Sequence, residues 1–276
     1  PEEFVYGEED FVLQAAGWGD PGSAPSRFDR LLLAGWSDRM ERGLFRYRLG
    51  ALPTRVLPGP VRLVAQLNAQ RSAERRPPQP VRSLRDPFAP GAFNFPRLRP
   101  AELLFRLRRA GGPGPPPEPL LVAINASPLE RGHVLLLPEP ERRLPQALTA
   151  PALRGALEGA LEPVSRAVCR AAEHLGGAGL AYNVLATRGD PPAGPGTGDG
   201  RGLRVLLWAR RPLFGPKAGE PFAVALCELA GLLPLPTEPL YRDITEAQAL
   251  SAIRQHLLPE PELLHLGGEL ARLLES

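Results

Sequence analysis

Apolar side chains recur at near-helical spacing after Ser26, at Phe28, Leu31, Leu32, Leu33, Trp36 and Met40. With Ser26 as N-cap, this predicts a helix opening residues 26–49. Residues 44–49 then read as extended, and 61–67 partly alternate as a strand does. Two short apolar runs, 120–124 and 133–137, flank a turn at 127–132, and Pro138 stops the second run. That is the pattern of a hairpin. Helical pieces follow at about 151–161 and 164–175, with Pro163 in a first turn and Gly176 and Gly177 as the C-terminal cap. Strands are predicted at 180–186 and 203–212, and helices at about 219–233 and 245–258. The order strand, Asn125, turn, strand is echoed around Asn183, either as an internal repeat or as chance similarity of apolar strands. The Gly/Pro-rich stretches 111–119 and 189–202 read as loops, and Pro77, Pro78 and Pro80 close an arginine-rich turn.

Composition narrows the class. An apolar share of 43% can fill a core, while 29 Gly and 35 Pro are too many for a helical bundle or coiled coil. An α+β chain with many turns is expected. Its longest apolar stretch, 221–236, contains Glu228 and Pro234 and reads as a buried helix, not a membrane span. No positively charged leader opens the chain; Glu2, Glu3, Glu8, Glu9 and Asp10 have the wrong sign. Cys169 and Cys227 both lie in apolar, helix-like surroundings and read as buried reduced thiols. Together these predict a cytoplasmic protein. Pro1 in place of Met reads as a fragment or an incomplete gene model.

Charge is uneven. All but one of the 33 Lys+Arg are Arg, the exception being Lys217, and the net charge is only +3. Ten Arg against three acids between residues 71 and 109 give that segment a local +7. A GC-rich coding sequence explains the Arg excess without function; a local anionic partner explains its position. Familiar chemistry is missing. Lys217 lacks a Walker loop, the glycines at 194–202 do not fit a dinucleotide fingerprint, and there is no nucleophile elbow. His133, His174, His256 and His265 have no metal-ligand spacing, so structural roles are expected for all four, and neither a metal nor another cofactor.

Several segments in order along the chain resemble the GDP-hexose phosphorylases (the GDP-D-glucose phosphorylase family) of the histidine-triad superfamily. They are 28–32, 43–48, 64–68 through 75–79, 93–95, 124–138 and 144–146, then Asn183, 187–189, 205–210 and 227–231. The resemblance implies a histidine-triad-like antiparallel sheet with flanking helices, in halves 1–162 and 163–276. It also implies the substrates, a GDP-hexose and inorganic phosphate. A histidine attacks the α-phosphorus, and phosphate resolves the guanylyl-histidine to GDP and glucose 1-phosphate. A His-x-His-x-His strand suits this, because alternate rings share one face and neutralise charge on the transferring group.

The chain departs from that family at the decisive point. Where the triad strand belongs, residues 161–164 run straight into the next helix, and no His-x-His occurs anywhere. The family's nucleophile has no counterpart, and His133 and His174 do not replace it. Either a stretch has been skipped, or the chain is a non-catalytic, guanine-nucleotide-binding or regulatory paralogue. An Arg-rich RNA-binding protein is the remaining alternative, weakened by the lack of any RNA motif, so no nucleic-acid partner is expected. What the resemblance retains is a nucleotide side. Asn125 falls at a ribose-contacting position, or else stabilises a turn. Gly132 and His133 start the second strand. Asn68, Arg71, Arg75 and Arg76 suit phosphates, or else form a solvated face. Asn94 is a base-edge contact or a turn residue.

Overall fold

The computed structural model describes residues 1–7, 10, 25–76, 83, 86–111, 119–145, 148–150, 152–153, 162–188, 203–212 and 221–275. Most of the expected helix at 151–161, the loops 112–118 and 189–202, the prolines at 77–80 and Lys217 lie outside them.

In chain order the first elements are β1 (Glu2–Tyr6), α1 (Arg27–Glu41), β2 (Thr54–Val56), β3 (Val64–Leu67) and α2 (Ala69–Glu74). Then come β4 (Leu103–Arg109), β5 (Leu120–Ile124), β6 (Val134–Leu137) and α3 (Glu162–Gly177). The C-terminal part holds β7 (Ala181–Arg188), β8 (Leu203–Arg210), α4 (Leu226–Leu229), β9 (Leu232–Leu235), α5 (Glu238–Asp243), α6 (Glu246–Arg254) and α7 (Glu260–Glu275). Contacts divide the chain into two interleaved units. One comprises Pro1–Leu49, Pro87–Cys169 and Ala186–Arg204; the other comprises Gly50–Asp86, Arg170–Leu185 and Val205–Ser276. The α+β class is as expected.

The first unit is built on a sheet of order β1-β4-β5-β6. The hairpin β5–β6 is antiparallel, pairing Ile124 with Val134 and Leu121 with Leu137. β4 is antiparallel to β5, but β1 runs parallel to β4, so the sheet is not purely antiparallel. Phe4, Tyr6, Leu32, Phe105, Leu107, Leu120 and Val122 form its core. α1 starts where Ser26 predicts. The Ser26 hydroxyl accepts from Asp29 N at 3.0 Å, and the Asp29 carboxylate accepts from Ser26 N at 3.2 Å. The helix ends before Gly43, whose φ is +70°. Residues 44–49, read as extended, bend at 45–47 and join no sheet. Two of their hydrogen bonds go to the β5–β6 turn: Arg46 N donates to Ala126 O at 2.8 Å, and the buried Tyr47 hydroxyl donates to Pro128 O.

The second unit centres on β2-β3-β9, with β3 antiparallel to β2 and parallel to β9. Its core includes Leu57, Ala65, Leu233, Leu235, Ala249 and Ile253. The helix expected at 219–233 is absent: a single turn, α4, is followed by strand β9. Gly231 at φ +95° ends the turn, and Pro234, which has no N–H to give a ladder, is accommodated on an edge strand. The 221–236 stretch is therefore not a buried helix. Gly179 at φ +73°, not Gly176 or Gly177, reverses the chain after α3. β7 and β8 form a two-stranded sheet, but Asn183 lies inside β7, whereas Asn125 follows β5. The suggested repeat therefore does not hold at that residue. α7 was not expected; its Leu266 is buried with Leu175, Ala209 and Leu258. Cys169 is buried, but Cys227, on the single turn α4, is only partly so.

Glu246 anchors this unit. Its carboxylate accepts from Val61 N and Leu63 N, each at 3.0 Å, across more than 180 residues of chain. Arg62, between them, adopts φ +62° and adds a third backbone N–H. A left-handed residue in such a turn lets successive N–H groups converge on one anion. Burial pushes the Glu246 carboxyl up, but the three N–H groups outweigh it and hold it below 4.5. A Cβ at Gly59 would overlap the same carboxylate, so glycine is required there.

A carboxyl depressed in the fold stabilises above its ordinary value of 4.5 and loses that contribution as pH falls through the folded value. Glu246→Gln should lower the melting temperature at pH 7 and flatten its fall below pH 4.5, and Gly59→Ala should also melt lower. Melting curves against pH, read by circular dichroism, check this; identical acid limbs in the wild type and Glu246→Gln would contradict it.

Candidate functional site

The candidate residues fall into two groups, one in each unit. In the first unit, β5 delivers Asn125 just past its buried end, and the ladder continues with Asn125 N donating to His133 O at 3.2 Å. Asn125 Oδ1 accepts from Ser127 N at 3.0 Å. Its Nδ2 lies 3.1 Å from His133 Nε2, and Leu129 N donates to His133 Nδ1, also at 3.1 Å. Both ring nitrogens therefore face groups of the turn itself. An attacking imidazole needs a nitrogen lone pair aimed at the phosphorus, and this ring is committed to the turn instead. Gly132 precedes it at φ +79°, where a Cβ would press on Leu33 at 3.1 Å. The structure thus brings Asn125, Gly132 and His133 together.

Asn94, also in the first unit, is 5% exposed, and its Nδ2 donates to Ala92 O at 3.1 Å. Several arginines of the basic segment are held by the protein. Arg97 donates to the carbonyls of Gly91 and Ala92. Arg99 pairs with Glu102 at 3.3 Å, and Arg108 pairs with Glu3 at 2.7 Å. Glu102 is already counted in the local +7, so of these contacts only Glu3 offsets it, by one charge.

In the second unit, Asn68 caps α2, accepting from Arg71 N at 3.1 Å. Arg71 lies on that helix, and Arg75 and Arg76 follow at its end. Sequence reasoning did not choose two groups that the structure places in the same electrostatic neighbourhood. Glu228 on α4 is 8% exposed and accepts from Ala225 N at 2.7 Å. Burial raises its pKa above the ordinary carboxyl value, opposed by hydrogen bonds and by Arg71 and Arg75. Arg210 on β8 donates to Asn183 Oδ1 at 2.9 Å and to Val224 O at 3.3 Å, with His256 Nδ1 3.3 Å from it. Burial lowers its pKa, while Glu228 opposes the shift. The only signal for these residues was the resemblance at 205–210 and 227–231. His256 is 5% exposed, beside this arginine. His174 pairs with Glu269 at 3.1 Å. Among the described residues no cluster of three His, Cys, Asp or Glu could hold a metal ion, and no helix is long and apolar enough to cross a membrane.

Residues 27–177 match the family model described as "GDPGP1-like, N-terminal domain", from the start of α1 to the end of α3. GDP-D-glucose phosphorylase 1 of Homo sapiens is 37% identical, with 99% of this chain and 92% of the relative covered. The Bos taurus protein of the same name is 38% identical, with the same coverage of each chain. The chain belongs to the GDP-D-glucose phosphorylase family. GDP-L-galactose phosphorylase 2 of Arabidopsis thaliana is 36% identical over 52% of this chain and 37% of its own length. No solved structure matches. The alignment to the human family member spans 355 positions, 79 more than the 276 residues here. That relative therefore carries at least as many residues, inside the matched span, with no counterpart in this chain.

Gly132→Ala should lose about 1–2 kcal/mol by forcing a side chain into the left-handed region. Tyr47→Phe should lose about 1 kcal/mol through the hydrogen bond to Pro128 O. Urea unfolding measures both; a neutral Gly132→Ala would show that the turn tolerates another backbone path.

Proposed function

We propose that this chain keeps the nucleotide side of a GDP-hexose phosphorylase and lacks the covalent step. Its ligands on this reading are a GDP-hexose, GDP and inorganic phosphate. Asn125 takes the ribose hydroxyls, since a carboxamide can both donate and accept there. In the first unit Gly132 and His133 hold Asn125 in place and Asn94 is the base contact; Asn68, Arg71, Arg75 and Arg76 of the second unit are read by themselves as phosphate contacts. The carrying observation is the matched span that exceeds the chain by 79 positions, together with the absence of any His-x-His. The relatives named as phosphorylases support the reaction class, transfer of a guanylyl group to phosphate. Without a nucleophilic histidine the covalent route has no first step. We place the boundary between the halves at 162–163, at the start of the helix in which the family match ends. We also place the protein in the cytoplasm, supported by free Cys169 and Cys227 and by the lack of a described membrane-spanning helix.

Thermal-shift titration of the full chain with GDP, and separately with a plain polyanion, tests the nucleotide side. GDP should stabilise the chain more than the polyanion does at equal charge, and Asn125→Ala should remove the difference. Equal shifts, or none, would sink the guanine-nucleotide reading.

A further inference from the structure

The turn between β5 and β6 encloses an imidazole whose two nitrogens both meet N–H groups. Leu129 N donates to His133 Nδ1 at 3.1 Å, and Asn125 Nδ2 lies 3.1 Å from His133 Nε2. The Asn125 amide is oriented by its other end: Oδ1 accepts from Ser127 N at 3.0 Å, which leaves Nδ2 toward the ring. The backbone of His133 is fixed as well. Asn125 N donates to His133 O and His133 N donates to Glu130 O, each at 3.2 Å. A neutral imidazole has one lone pair and one N–H, whereas an imidazolium has two N–H groups and no lone pair. The neutral ring can therefore accept from one of its two neighbours. The charged ring accepts from neither and sets donor against donor at both nitrogens. Leu129 N–H belongs to the backbone and cannot swing away without opening the turn. The lone pair thus belongs on Nδ1 and the single hydrogen on Nε2.

We propose that His133 is a proton-sensitive positioning residue: neutral, with its hydrogen on Nε2, it locks the turn that presents Asn125, and a proton taken from solvent onto Nδ1 unlocks that turn. The lock stands on the geometry of the turn; its consequence for ligand rests on the reading of Asn125 as a ribose contact. The ring is half-buried, so a proton can reach it from water. Glu130 and Arg131 lie within the turn, and the Glu130 carboxylate accepts from Arg131 N at 3.1 Å. Arg46 and Tyr47 dock on the turn from the 44–49 segment, the tyrosine through its hydroxyl to Pro128 O. α1 meets Gly132 with the uncharged Leu32 and Leu33, and the strands end on the turn with Ile124 and Val134. Of these side chains only imidazole ordinarily changes charge between about pH 5 and 8. Uptake of the proton costs the Leu129 hydrogen bond. The locked turn is therefore favoured at neutral pH and gives way as pH falls through the titration of the ring.

Magnetic resonance of the full chain tests the lock. Long-range proton–nitrogen correlation spectra at neutral pH should place the His133 hydrogen on Nε2. Protection of the Leu129 amide from exchange, corrected for the intrinsic rate, should fall about fivefold between about pH 7.5 and 5.5, the loss of one ordinary hydrogen bond. His133→Asn sets an acceptor oxygen near the place of Nδ1 and cannot take up a proton there, so its Leu129 protection should be equal at both pH values. A hydrogen on Nδ1, an imidazolium at neutral pH, wild-type protection that is level with pH, or a fall in His133→Asn as large as in the wild type overturns the proposal. The first three need only the wild type, should the variant not fold. GDP-glucose is the ligand probe, because its diphosphate is esterified at both ends and keeps its charge over this range. Its affinity for the wild type should weaken about fivefold over the same interval, in step with the Leu129 amide. Affinity that is level with pH while Leu129 protection falls overturns the positioning role. No binding of GDP-glucose at either pH, with Leu129 protection falling, removes the guanine-nucleotide reading and upholds the lock, so the two failures are separable.

Discussion

The imidazole of His133 turns β5 back onto β6. Leu129 N–H donates to His133 Nδ1 at 3.1 Å, and Asn125 Nδ2 lies 3.1 Å from the other ring nitrogen, so the ring sits as a brace inside the connection. Around that brace the first unit closes. Asn125 spends its oxygen on Ser127 N, Gly132 takes the left-handed backbone that brings the ring inward, and Arg46 and Tyr47 dock on the carbonyls of Ala126 and Pro128. Trp36 of α1 lies against Phe45 at 4.9 Å between ring centres, which ties the docking segment to the helix. A histidine held this way positions its neighbours.

Two buried glutamates in the second unit show how donor number sets charge state. Glu246 meets three backbone N–H groups and is held ionised despite burial. Glu228 meets fewer donors, and burial raises it despite nearby arginines. Burial raises both; at Glu246 three N–H groups outweigh it, and at Glu228 burial prevails over two N–H groups and the nearby arginines. The first is a fixed strut between α6 and the loop before β3. The second closes the single turn α4 by accepting from Ala225 N.

The hairpin was legible in the sequence because two apolar runs flank a short turn, and α1 because Ser26 stands as an N-cap before apolar residues at helical spacing. The class, α+β, followed from the same patterns. β1 was not legible: Glu2 and Glu3 make it polar, and its partner is β4, about a hundred residues away. β9 was misread because a short apolar run fits a helix as well as a strand; only the distant pairing with β3 decides. Residue identity made Asn68 a candidate, but its unpartnered Nδ2 and its link through Arg71 to Glu228 depend on tertiary placement. The Glu246 anchor is made with backbone groups, which side-chain patterns do not report.

The central claim is that the fold keeps nucleotide contacts while no histidine is available to carry a guanylyl group. Intact-protein mass spectrometry after incubation with GDP-glucose, followed by peptide mapping of all four histidines, tests it most directly. The account predicts an unmodified chain, and no glucose 1-phosphate on addition of phosphate. A mass increase of one guanylyl group, mapped to His133 or to any other histidine, would contradict it.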